Sequence, residues 1–556
     1  MRSVLSLSLA LSAASLLVVS TAHAQATAPT PPSAPAAPTP ASAPAPATGS
    51  AAAAPVAAAA PVPVAPAAAG PTDTHLDIAT LRALRDRAQI TPAEYDSALR
   101  DMNEGAGSNV AAEAPTFAIG GFSTTIYGRA KADFIYDSTE SYSDLAGNSL
   151  IARPAGSPVP QPPAPQTTYA GQNPRMQFSI RDSRLGIFVR APETHGIRVS
   201  GLAEMDFFGQ VASNASEGQN WSTAIVPRLR HFYFRIDNPI VDVLVGQYWH
   251  LFGWQNVYHP GSVQAQGLLG QVYSRDLQVR VSKTIGTSWV NVDVAAAVLR
   301  PPQRDSGKPQ GEAGLRVALN KWTGLLTNGA TGTSIQPLSV GVSGNFRDVT
   351  IPEMSFTPQT SVDLFMYSVA LDGYIPIIPA RRDHKDNALS VHGEFVSGQG
   401  SADLYSSLSG GITFPTLAPP ANGVQGATYP QNIDNGIVAF DAQGNIHAIQ
   451  WQTYLFGLQY YVPRTDGRLF LAANYSHISS NNIAQYTQPT APSPSNFSFT
   501  WNRAVIDSGD LFDGNLFFDV VSGVRVGVEG ALTKQHYVDG TSAQNVRVQA
   551  GGIFSF

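Results

Sequence analysis

The chain of 556 residues has no cysteine, which excludes both a disulfide framework and a thiolate metal site. Charged residues make up only 13%, and 34 Lys and Arg against 40 Asp and Glu leave a formal net charge of -6, so bulk attraction to nucleic acid is excluded as well. The 11 histidines are scattered without metal-ligand spacing, and no strand-turn-helix serine motif offers a nucleophile. Beyond residue 24 there is no run of the roughly 20 consecutive apolar residues that a spanning helix requires. The 43% apolar content is dispersed in alternation. If this chain crosses a membrane, it must do so with strands that close on themselves.

What is present begins with a leader. Arg2, the apolar run from Val4 to Val19 and the small-residue pattern Ala22-His23-Ala24 read as a secretory signal peptide over 1–24. Residues 25–72 are almost wholly Ala and Pro with Thr and Ser, a linker that cannot bury enough apolar surface to offset its ordering entropy. Over 73–104, Leu76, Ala79, Leu81, Leu84 and Ala88 recur at helical spacing, and Thr91, Pro92 and Glu94 form a capping box that opens a second helix. This helical hairpin fits an oligomerisation element or a solvated spacer. Residues 105–121 form a second linker.

From Phe122 to Phe556 the apolar period is two. The last segment, 545–556, puts Val546, Val548, Ala550, Phe554 and Phe556 on one face and Arg547, Gln549 and Ser555 on the other, so one side suits lipid and the other water. The same alternation predicts about 16 strands, an even number as bacterial barrels require. They fall near 122–136, 175–190, 196–209, 227–237, 240–250, 276–284, 287–299, 312–321, 336–346, 360–373, 387–397, 449–462, 467–478, 512–521, 523–535 and 545–556. Short connections at 191–195, 238–239, 285–286, 463–466 and 522 alternate with long ones at 137–174, 251–275, 398–448 and 479–511. That asymmetry predicts periplasmic short turns and termini, and extracellular long loops. Two turns, 322–335 and 374–386, are longer than this scheme expects and leave room for a further strand. The expected fold is all-β: a transmembrane antiparallel barrel of about 16 strands with a short helical periplasmic extension, closed where Phe554 and Phe556 meet the first strand.

A barrel of that size is too wide for side chains to fill, which predicts a polar aqueous lumen. In strand 196–209 the inward parity carries Arg198, Ser200, Glu204 and Asp206. Arg181, Arg184, Arg190, Arg198, Arg228, Arg230, Arg235 and Arg280 all fall in the first six strands. A basic wall facing a narrowed pore favours small anions, because guanidinium groups stay charged and grip carboxylates. The same arginines could instead be consumed by acids such as Glu204 and Asp206. Arg228 and Arg230 also share parity with Phe232 and Phe234, so they must lie above the lipid zone or follow a bulge. Loop 251–275, with Trp254, Tyr258, His259 and Tyr273 among Gly, Gln and Ser, suits a packed plug that narrows the channel, or an ordinary exposed loop. His392, Glu394 and Asp363 lie on strands and make a barrel enzyme chemically conceivable, though without an evident catalytic residue.

Four ordered motifs, at 181–187 (RDSRLGI), 204–209 (EMDFFG), 227–231 (PRLRH) and 246–252 (GQYWHLF), resemble the DcaP-like porins of Gram-negative outer membranes. The resemblance implies a homotrimer of 16-stranded channels for small, often dicarboxylic or aromatic, anions, with Arg181, Arg184, Arg228 and Arg230 in the lumen. Trp249 and His250 stand where that family leads one to expect a serine. The expectation is therefore an outer-membrane diffusion channel. Its pore is lined by Arg181, Arg184, Arg198, Glu204, Asp206, Arg228, Arg230, Arg235 and Arg280, it needs no cofactor or metal, and its partners are lipid, small anions and, through 73–104, the periplasmic envelope. A barrel enzyme acting on lipid or surface substrates and an envelope-anchoring barrel are the alternatives.

Overall fold

The computed structural model describes residues 116–119, 121–146, 151–153, 169–209, 226–302, 307–330, 332–352, 359–380, 385–408, 436–440, 445–486, 505–538 and 540–556. The expected leader, Ala/Pro linker and helical hairpin lie outside them. Strands dominate. The first half holds β1 (Thr116–Ile119), β2 (Phe122–Asp137), β3 (Arg175–Ser179), β4 (Arg184–Arg190), β5 (Arg198–Asp206), β6 (Arg228–Asp237), β7 (Asp242–Trp249), β8 (Arg275–Gly286), β9 (Val290–Leu299) and β10 (Gln310–Thr327). The second holds β11 (Thr333–Pro352), β12 (Ser361–Ile378), β13 (Leu389–Gln399), β14 (Val438–Phe440), β15 (Ile446–Ala448), β16 (Gln450–Tyr461), β17 (Leu469–Ser480), β18 (Ile506–Val521), β19 (Val524–Tyr537) and β20 (Ser542–Ser555).

Every wall strand pairs antiparallel with its sequence neighbour, and β20 pairs back onto β2, so the sheet closes. β3 and β4 pair with opposite halves of β2 on the same side and form one interrupted strand. β1 is a short flap on the start of β2, inside the span read as a linker, and β14 and β15 form a separate small hairpin. The wall therefore has 16 strands, as the alternation predicts. The two overlong turns contain no further strand among the described residues. Instead β10, β11 and β12 run 18, 20 and 18 residues, and a bulge between Leu319 and Thr323 absorbs the change of register.

Alternation sets the two faces. On β20, Val546 and Val548 are 41% and 46% exposed outside, whereas Arg547 and Gln549 are 3% and 1% exposed inside. A closed wall with an apolar outside leaves no unpaired edge to lipid, which is the condition for a strand-built membrane span.

The closing seam is held by more than ladder bonds. Gly128 and Phe556 exchange main-chain hydrogen bonds of 2.9 and 3.0 Å, and Phe554 pairs with Ala130. Inside, Arg547 grips the fully buried Asp137 with Nε–Oδ1 2.9 Å and Nη2–Oδ2 2.8 Å, and Asn545 adds a bond of 2.8 Å to the same carboxylate. Arg547, expected to face the lumen, is thus held by Asp137 and also donates to the Ser143 carbonyl.

The interior is not uniformly polar, contrary to the sequence expectation. Phe252, Leu268, Leu269 and Val272 of the loop after β7 form a core with inward Val396, Trp451, Leu455, Ile478 and Leu511 of the wall. Each fully buried large apolar side chain contributes about 1.5–3 kcal/mol, so strands facing the loop gain by carrying apolar residues inward. Strand β6 resolves the parity conflict of its arginines. Met205 faces Leu229 but Glu204 faces His231, so Arg230 is the extra residue of a bulge and turns inside while Leu229 and Phe232 stay outside.

Asp137→Ala should strand the Arg547 charge and lower the unfolding free energy by about 3 kcal/mol, whereas the double change with Arg547→Met should recover much of it. Urea midpoints of the refolded barrel, read by heat-modifiable gel mobility, measure both.

Candidate functional site: a loop across the barrel

The loop between β7 and β8 turns inward at once. Phe252–Trp254 make a tight turn in which Gly253 has φ +76°, a left-handed conformation that favours glycine, and Glu394 lies 3.2 Å from where a Cβ would stand. A loop lying within a barrel must satisfy its backbone N–H groups without free access to bulk water. Three wall glutamates do so. Glu312 on β10 accepts from the N–H of Leu251 (2.8 Å) and Phe252 (3.2 Å). Glu529 on β19 accepts from the N–H of Val263 (2.7 Å) and Gln264 (2.9 Å) and from Ser262 Oγ (2.9 Å). Glu394 on β13 accepts from the N–H of Val272 (2.9 Å). Hydrogen bonds to an ionised carboxylate are about twice as strong as neutral ones, which applies to Glu312 beside the His250 imidazolium.

Further contacts carry the loop from wall to wall. Asn474 on β17 donates to the Gly261 carbonyl (2.9 Å), and Lys131 on β2 donates to the Val263 carbonyl (2.6 Å). On its return the loop meets the segment after β13: Gly270 N–H donates to Ser406 and Tyr273 N–H to Leu404, both at 2.9 Å. At the loop's root His250 lies between Glu312 (2.7 Å) and Asp276 (3.1 Å). Burial opposes its charging, but the two carboxylates override that and raise it to about 9. This imidazolium contributes fully below pH 6.5 and its contribution is lost as pH rises through about 9.

The four loop residues expected at a constriction divide into two pairs. Trp254 and Tyr258 turn to the β10–β11 wall, where Trp254 Nε1 donates to the Val342 carbonyl (3.3 Å) and the Tyr258 hydroxyl to Ser339 (2.9 Å). His259 and Tyr273 turn the other way. They line a half-open cavity of about 70 Å³ together with Arg129, Arg184, Arg230 and Trp249.

The basic side of that cavity is an ion network. Asp182 receives Arg129 in a close contact and Lys131 Nζ at 2.9 Å, with Arg184 at 3.7 Å. Arg230 meets Glu204 at 2.7 Å and Asp206 at 3.1 Å, and Arg228 meets Asp206 at 2.7 Å. The Tyr127 ring packs over Gly186, where a Cβ would come within 2.3 Å of it, and this lets the hydroxyl reach Glu204 at 2.9 Å. Arg275 lies 4.6 Å above the Trp249 ring and 5.9 Å from Tyr273, and its buried Nη1 has no hydrogen-bond partner among the described residues. Two loop groups report the resulting field. Burial, joined by Arg230, Arg184 and Arg275, pushes His259 down to about 3, so it is neutral at pH 7. Burial pushes the Tyr273 hydroxyl up, but Arg230, Arg275 and Arg184 outweigh it and bring the group below its ordinary value.

Not all the arginines selected from the sequence converge here. Arg181 binds Asp144 (2.9 Å) and the Phe207 and Gly209 carbonyls at the long-loop rim. Arg235 pairs with Asp237 and Asp242 near the short turns, where Arg198 also lies. Arg280 is spent on Gln278 and the Trp249 carbonyl. Neighbouring strands do not imply neighbouring heights: Arg198 and Asp206 are about 26 Å apart along one strand. Sequence reasoning passed over Arg129, Lys131, Asp182 and Arg275, and noted Trp249 without assigning it to the pore. The inward parity of Arg129, Lys131 and Asp133 on β2 was the available signal. His392 and Glu394 point inward on β13, whereas Asp363 is at an exposed rim beside Lys308 (2.9 Å), so the three do not assemble. No metal-holding group of three His, Cys, Asp or Glu exists among the described residues.

No protein-family model and no curated protein matches the chain. Solved structures do. The outer membrane channel DcaP of Acinetobacter baumannii is similar with a TM-score of 0.52 and 15% identity, over 80% of this chain and 100% of that one. OmpT, an outer membrane protein of Vibrio cholerae, gives 0.41 and 10% over 80% and 100%, and an anion-selective porin from Comamonas acidovorans 0.42 and 11% over 78% and 100%. The fold is therefore the barrel fold that the DcaP channel also has, in keeping with the DcaP-like resemblance of the four motifs.

Glu529→Ala should remove the acceptor shared by the Ser262 hydroxyl and the N–H groups of Val263 and Gln264, and raise amide exchange at Gln264 about fivefold or more, from the roughly 1–3 kcal/mol cost of an unsatisfied buried donor, while Val263 retains its bond to Asn515. Hydrogen exchange read by mass spectrometry on the purified barrel checks this.

Proposed function

We propose that the chain is a DcaP-like outer-membrane porin through which small anions, such as dicarboxylates or aromatic acids, diffuse passively without any catalytic step. The observation that carries this reading is the cavity beside the inward loop. There Arg129, Arg184 and Arg230 line the space against Asp182, and Arg275 stands behind Trp249 and Tyr273. An anion passing between Arg184, Arg230 and the loop meets a positive potential, with the Trp249, Tyr273 and His259 rings within reach of an aromatic solute. Binding should be weak, because a conduit must release what it takes up. On this reading the short turns and both termini face the periplasm, the long loops face outward, three copies assemble, and residues 73–104 contact the envelope.

Reversal potentials in planar bilayers under a salt gradient test the proposal. The intact protein should conduct in discrete steps and prefer anions, and Arg184→Gln and Arg275→Gln should each lower the anion-to-cation permeability ratio about twofold, the effect of one charge at about 8 Å in water. Absence of conductance steps, or cation preference with the arginines intact, overturns it.

A further inference from the structure

Strands β10 and β11 continue past the point where the wall around them ends. β10 pairs with β9 only as far as Leu319, and β11 with β12 only as far as Ser339, yet the two go on pairing with each other from Thr323–Pro337 to Thr327–Thr333. Residues 323–327 and 333–337 are thus a two-stranded arm outside both neighbouring ladders. A wall strand buries every second residue, but Gly324, Leu325, Leu326, Thr327 and Asn328 are buried in succession, so this arm has no face toward lipid. It folds into the barrel from the short-turn end.

The inner face of the wall receives it. Gly324 crosses β12 so closely that a Cβ would come within 2.6 Å of Pro376 and 2.7 Å of the Tyr374 hydroxyl. The Leu325 carbonyl accepts from the hydroxyls of Tyr374 and Ser390, both at 2.9 Å. Further in, the Thr327 N–H donates to Gln459 Oε1 and its carbonyl accepts from Gln459 Nε2, both at 2.8 Å. Leu325 packs with Tyr461, Phe470 and Phe517 of the wall, and Leu326 with Trp254 and Tyr258 of the loop after β7. At the tip the Gly329 N–H donates to the Pro260 carbonyl at 2.8 Å. The arm from one end of the barrel therefore meets the loop from the other.

We propose that this arm is a second jaw of the constriction and that Asn328 at its tip helps determine which charge passes. Asn328, Gly329 and Ala330 line the same cavity as Arg129, Arg184 and Arg230. A solute passing the guanidinium groups thus has a second boundary that carries no charge, and a neutral amide there leaves the positive field uncompensated. A carboxylate in its place would offset one of the cations. This role presupposes that the barrel conducts through that cavity, as in the channel reading above.

Reversal potentials and single-channel conductance of the full chain in planar bilayers test this. Asn328→Asp should lower the anion-to-cation permeability ratio about twofold and Asn328→Lys should raise it by a similar factor, the effect of one charge at about 8 Å in water. Ser288→Asp, on an exposed turn at the same end of the barrel, should leave the ratio unchanged. Excision of residues 324–335, which lie beyond the wall's own pairing, should raise the conductance. Heat-modifiable mobility establishes that each variant is folded, and the two Asn328 variants decide the matter if the excised chain does not fold. An unchanged ratio in both Asn328 variants, a shift of the same sign in both, or an equal shift in Ser288→Asp overturns the role of the tip. A wild type that conducts without preferring anions defeats the channel's proposed selectivity alone, because the Asn328 variants still shift the ratio in opposite directions.

Discussion

The arrangement depends on carboxylates that accept hydrogen bonds from a loop's backbone. A closed barrel of 16 strands satisfies its own ladder, but the loop after β7 enters it as irregular chain, and irregular chain carries unsatisfied N–H groups wherever it goes. Glu312, Glu394 and Glu529 stand on three separated strands and take those donors at the loop's entry, return and far point. Without such acceptors the loop would lose several buried bonds at once, each costing roughly 1–3 kcal/mol. With them it becomes part of the core, and wall residues such as Trp451 and Leu455 can be apolar on a face that would otherwise meet water.

The same loop organises the charges. On the side where it packs, glutamates are occupied by its backbone. On the other side, β2 to β8 leave guanidinium groups around Trp249, His259 and Tyr273. The neutral state of His259 and the lowered Tyr273 hydroxyl are two consequences of one positive field. The proposed preference for anions follows from that asymmetry more than from the number of arginines, since Arg228, Arg235 and Arg280 are bound to acids or amides.

Strand number and facing were legible because alternation is local: each residue of 545–556 declares its side by parity alone. The bulge at Arg230 was visible only as a conflict between its charge and its parity, and the strand pairing resolved it. Which arginines share a height could not be read from the sequence, since strand tilt and register are collective properties of the sheet. The loop's aromatics were identifiable, but not that Trp254 and Tyr258 face the wall while His259 and Tyr273 face the cavity. Arg275 was missed because it sits at the junction of loop and strand, where neither periodicity applies.

The absence of cysteine makes the central claim directly testable. A Cβ at Gly261 would stand 3.3 Å from that of Ala472 on the far wall, close to the span of a disulfide. In the Gly261→Cys, Ala472→Cys variant the account predicts that oxidation locks the loop across the barrel while conductance and anion preference stay as in the reduced form, because solute passes on the arginine side. Failure of the pair to cross-link, or a channel closed or made cation-selective by the cross-link, would contradict it.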